Sequence, residues 1–104
     1  MAQPIRTRIN IPELDKADGR AVLIFETFKP LSGGITSYAR VEFVGDNFST
    51  FAPFGDFSTR LEHNRNARAT QAAMQAQHDR IFAPAVADAL RGRALFHYQG
   101  PQTL

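Results

Sequence analysis

Residues 60 to 82 contain neither glycine nor proline and are rich in Ala, Gln and Arg. All three are good helix formers, so this run predicts a long helix. Thr59-Arg60-Leu61-Glu62 opens it in the pattern of a capping box, with Thr59 as N-cap and Glu62 at the third helical position. Pro84 lacks an N–H, and its ring clashes with the carbonyl of Arg80, so the helix kinks or restarts there. Ile81, Phe82, Ala85, Val86, Ala89 and Leu90 carry an apolar face onward at helical spacing. Gly92 sits where a C-terminal cap belongs. Arg93 to Tyr98 reads as a short closing strand.

The chain ahead of that run has a different period. Ile5, Thr7, Ile9 and Ile11 alternate with Arg6, Arg8 and Asn10, the pattern of a half-buried strand that Pro12 ends. Ala21 to Phe28 is apolar, β-branched and aromatic, with Glu26 its single charge, which suits a central strand covered on both faces. After a Pro30–Gly34 connection, Thr36 to Val44 alternates again. Ala39, Val41 and Phe43 share one face, and Tyr38, Arg40 and Glu42 the other. Phe48 to Phe54 makes a fourth strand, which Pro53 limits to an edge or to an early end. Strands followed by helix give an α+β fold, with an antiparallel sheet of four to five strands and one long kinked helix, or two consecutive helices, on one face. The full order expected is β-β-β-β-α(α)-β in one domain, residues 1–104.

Composition narrows function mainly by exclusion. The chain has no cysteine, so thiolate chemistry, disulfides and Cys-based zinc sites are ruled out. No apolar run has the length of a membrane span, and the first residues lack the apolar stretch of a signal peptide, so the expected location is cytoplasmic. His63, His78 and His97 are isolated from one another and from carboxylates in metal-binding patterns, and neither a metal nor a cofactor is expected. On a single helix, His63 and His78 would stand about four turns apart. Ten of the twelve basic residues are Arg, the better residue for bidentate contacts to carboxylate or phosphate. GC-rich codon usage explains the same bias without any function.

Five of the nine phenylalanines fall within fifteen residues, Phe43, Phe48, Phe51, Phe54 and Phe57, among Gly, Asn, Asp and Pro. Aromatics favour burial, whereas those partners mark turns. Phe48, Phe51, Phe54 and Phe57 recur every third residue, which on a strand divides them between two faces. Either all serve the core, or some form an apolar pocket or an interface. The leading expectation is an interaction protein, homodimeric, whose surface combines this segment with a helix face of Ala69, Ala72, Ala73 and Ala76. Its partners are a second copy, another protein or a small apolar or anionic ligand. Arg60, Arg65 and Arg68, placed near the helix N-terminus, are anion-binding candidates there. A solvated face with ion pairs such as Glu62–Arg65 is the preferred account of them.

Two other readings compete. The first is a small enzyme with a sheet–helix pocket, in which Glu26, His97 and Tyr38 supply acid–base groups, His97 on the last strand beside Glu26. The second is nucleic-acid binding through Arg6, Arg8, Tyr38 and Arg40 on one sheet face, an arrangement that Glu26 and Glu42 would interrupt. No helix-turn-helix, zinc-finger or RNA-recognition signature supports it.

Overall fold

Residues 3–17, 19–31, 33–45, 57–65 and 70–99 are described by the computed structural model, together with the backbone of 49–51. The alternation at the start of the chain becomes β1 (Ile5–Asn10), with Ile5, Thr7 and Ile9 half-buried and Arg6, Arg8 and Asn10 exposed. A 3-10 turn at Pro12–Leu14 leads toward β2 (Arg20–Phe28), whose apolar run lies between β1 and β3 (Ile35–Val44). Both ladders are antiparallel, with Phe25 opposite Thr7 on β1 and opposite Ala39 on β3. The β2–β3 connection uses positive φ at Gly33 and Gly34. At Gly34 a Cβ would also lie 2.5 Å from the Asn64 carbonyl oxygen, so only glycine fits there.

The outer edge of β3 is shared by two strands. β4 (Ser49–Phe51) pairs with Glu42–Val44, and β5 (Ser58–Asn64) pairs with the first part of β3 across a bulge at Ser37/Tyr38. Two consecutive helices follow, α1 (Gln71–Ile81) and α2 (Pro84–Gln99), and both pack on one face of the sheet. The architecture is therefore α+β, a meander of antiparallel strands followed by a helix pair that Pro84 divides. Pro84 serves as the first residue of α2, where its fixed φ suits a helix start.

The element boundaries correct the sequence reading in three places. Residues 59–64, expected as the helix start, belong to β5. The unpaired edge of β3 offers this segment a backbone ladder, and pairing there outweighs intrinsic helix propensity. The helix begins at Gln71 instead, where the Thr70 hydroxyl accepts from the Ala73 N–H at 3.1 Å. His63 consequently lies on a strand and His78 on α1, not on one helix. Arg93–Tyr98 is helix rather than strand, because Leu90, Ala94 and Tyr98 fall on the inner side of α2 and pack into the core. Gly92 is accordingly interior to α2 and caps nothing.

The expected alanine stripe is also corrected. Ala72 and Ala76 are exposed, and α1 buries Met74, Gln77 and His78 in their place. Ala69 lies outside the described residues. The core joins Leu23, Phe25, Ala39, Val41 and Phe43 of the sheet to Leu90 and Ala94 of α2.

Candidate functional site

The outer side of α2 is unusual for a surface helix. Ala85, Ala89, Gly92 and Phe96 are all exposed and follow one another at intervals of four, three and four residues, so they form one stripe. Phe96 is 63% exposed. A Cβ at Gly92 would meet nothing within 4 Å, which leaves a notch in the middle of the stripe. Asp88 and Arg93, also exposed, flank the notch on either side.

Beside this stripe runs an open groove of about 600 Å³, lined by Phe57, Ala89, Gly92, Arg93, Phe96 and His97. Phe57 is buried at its base and belongs to the core. The guanidinium of Arg93 lies 6.0 Å from the Phe57 ring centre, and the His97 ring meets Phe57 edge to face at 6.1 Å. His97 also touches Tyr98, which in turn meets Phe43. The groove thus has an apolar floor tied to the core and a cationic rim, a composition typical of sites for apolar or anionic partners.

The second candidate lies on the sheet face opposite the helices. The registers place Arg6, Glu26, Tyr38 and Arg60 in one row across β1, β2, β3 and β5, with Arg8, Ile24, Arg40 and Ser58 in the next. Glu26 is held by Arg6 Nε and by Arg40 Nη1 at 3.3 Å, and Arg40 Nε reaches Glu42 at 3.2 Å. The Glu26 carboxylate raises the pKa of Arg6 through this hydrogen bond. Phe28 and Tyr38 stack on the same face, with ring centres 6.0 Å apart and planes at 14°.

A third polar cluster is buried between α1 and the sheet. The His78 ring bonds Thr7 Oγ1 through Nε2 at 2.8 Å and Thr27 Oγ1 through Nδ1 at 2.9 Å. Thr27 is bonded in turn to Ser37, which also accepts from Gln77 Nε2 at 3.1 Å. Burial lowers the pKa of His78, and the adjacent Asp79 opposes this only in part. The hollow around this cluster has no room for a water molecule, so the cluster fastens α1 down rather than receiving a ligand.

The candidates named from sequence are therefore scattered. Phe57 and His97 meet in the groove. Glu26 and Tyr38 meet on the opposite sheet face, so the proposed acid–base set of Glu26, Tyr38 and His97 is not assembled. Arg60 belongs to β5 and Arg65 to the turn after it, so neither stands at the helix N-terminus. Phe51 sits opposite Glu42 in the β3–β4 ladder. Phe48, Phe54 and Arg68 lie outside the described residues.

Sequence reasoning missed Phe96, because its segment read as a strand. The four-three-four spacing from Ala85 to Phe96 is the signal that finds it. The buried His78 cluster carries no comparable local signal, since its partners come from β1, β2 and β3. No protein-family model, characterised relative or solved structure matches this chain.

Proposed function

We propose that this chain is a non-catalytic interaction protein that pairs with a second copy through the outer face of α2. The observation that carries this reading is the self-complementarity of that face. If two α2 helices pack antiparallel about a twofold axis between Leu90 and Arg91, Ala89 lies opposite Gly92 of the other copy. Phe96 then lies opposite Ala85 in both halves of the pair. Small residues at the crossing let the helix axes approach closely, and a large aromatic at each end covers them. The Phe57 groove runs alongside and widens the contact beyond one helix face.

Light scattering across a concentration series tests the pairing. The wild type is expected to move from monomer to dimer, and Phe96→Ser to remain a folded monomer. A wild type that stays monomeric at high micromolar concentration sinks the proposal. The groove would then suit a small anionic ligand held between Arg93 and His97.

A further inference from the structure

Among the described residues, the sheet face away from the helices carries five arginines, Arg6, Arg8, Arg20, Arg40 and Arg60, against two glutamates, Glu26 and Glu42. The sequence alone suggests that these glutamates interrupt the patch, but their geometry assigns them another effect. Both carboxylates are turned onto arginines, and Glu26 is largely covered. Arg6 commits only its Nε, and Arg40 its Nε and Nη1. Among the described residues this leaves both terminal nitrogens of Arg6, and Nη2 of Arg40, as available donors. The carboxylates thus fix the direction of two guanidiniums without using them up. Arg8, Arg20 and Arg60 are exposed and form no ion pair among the described residues.

Distance and aromatic content narrow the ligand class. Arg6 and Arg60 end the same row, three strand spacings or about 14 Å apart. Tyr38 lies between them, stacked with Phe28. Ile24, between Arg8 and Arg40, is covered. The accessible part of this face is therefore the row of Arg6, Tyr38 and Arg60 with Phe28. Cations that bracket an aromatic pair there suit a flexible strand carrying both phosphates and planar bases. A duplex hides its bases from such a surface. We propose that this face binds single-stranded nucleic acid, with Arg6, Arg8 and Arg60 on the phosphates and Phe28–Tyr38 as the stacking platform.

Fluorescence anisotropy with a labelled oligothymidylate of about 15 nucleotides tests this, alongside a duplex of equal length and heparin. Binding is expected at low salt, with affinity falling steeply as salt rises. The double variant Arg8→Gln, Arg60→Gln alters two exposed, unpaired side chains and so preserves the fold, which circular dichroism verifies. It should weaken binding about tenfold or more and reduce the log–log salt slope by about 1.4, two phosphate contacts on a single strand. Tyr38→Leu should weaken oligothymidylate binding about fivefold or more while leaving heparin binding unchanged. Three results each overturn the proposal: no binding at low salt, preference for the duplex, or equal losses for heparin and oligothymidylate in Tyr38→Leu. These variants lie on the face away from α2, so failure here and failure of the α2 pairing are read separately.

Discussion

The two helices hold the same sheet face by different means. Beneath α2 the contact is apolar, with Leu90, Ala94 and Tyr98 over Phe43 and its neighbours. Beneath α1 it is polar, with His78 and Gln77 hydrogen-bonded to Thr7, Thr27 and Ser37. Apolar burial is non-directional and tolerates small shifts, whereas a hydrogen-bonded cluster has one satisfactory geometry. α1 is therefore fixed in register by chemistry, and α2 is held by area. Phe25 stands at the junction, its ring edge to face with Phe82 at 4.8 Å where α1 ends.

The largest expected effect tests the apolar side. Phe25→Ala empties a position only 2% exposed in the middle of the sheet and should cost about 3–5 kcal/mol. That is a large fraction of the roughly 5–15 kcal/mol by which a domain is folded. Urea unfolding followed by circular dichroism measures it. A loss below about 1 kcal/mol would mean that the apolar core shared by the sheet and both helices does not depend on its area as described.

What was legible in the sequence follows the same division. β1 and β3 were readable because each alternates with one apolar face, and β2 because its short run is apolar on both faces, as the Thr7–Phe25–Ala39 row and the buried Ile24 illustrate. Pro84 was readable because its effect on a helix is local and covalent. Residues 59–64 were misread because their strand exists only through the free edge of β3, far away in sequence. Thr70 was missed as a cap because it lacks the acidic residue three positions on that made Thr59 look right. Of the groove, Phe57 and His97 were named for other reasons. Phe96 became visible only once its segment proved helical.

A middle-sized effect tests the polar side. Thr27→Val keeps the shape of the side chain but removes the hydroxyl that joins His78 to Ser37. It should cost about 1–3 kcal/mol, because His78 Nδ1 is left buried without its partner. The same cluster gives the molecule a pH dependence. Burial lowers the His78 pKa in the folded state below its ordinary value of 6.5. The groups that touch the ring, Thr7, Thr27 and Phe82, carry no charge. The unfolded chain therefore binds this proton first as the pH falls. The contribution is fully present above about 6.5 and is lost as the pH drops toward the lowered folded value, by at most about 1.4 kcal/mol per pH unit. Denaturation of the wild type and His78→Gln from pH 7.5 down to 5 checks this. Equal pH slopes for the two proteins would remove His78 as the cause.

The smallest effect separates the two sides of α2 itself. Its inner side is packed, but Gly92 on the outer side has nothing within 4 Å of where a Cβ would stand. Glycine inside a helix costs roughly 0.5–1 kcal/mol relative to alanine, so Gly92→Ala should stabilise the monomer by about that much. For a domain of this size that raises the melting temperature by about 4–8 °C per kcal/mol. A methyl group is small enough for the helix pair to keep its contact, whereas Gly92→Gln also favours helix but fills the notch. The alanine variant should therefore be both more stable and dimeric, and the glutamine variant more stable but monomeric. If both variants gain stability and remain dimeric, the notch is not where two copies meet. The glycine would then be an unoptimised helix position, and Phe96 would need a different partner surface.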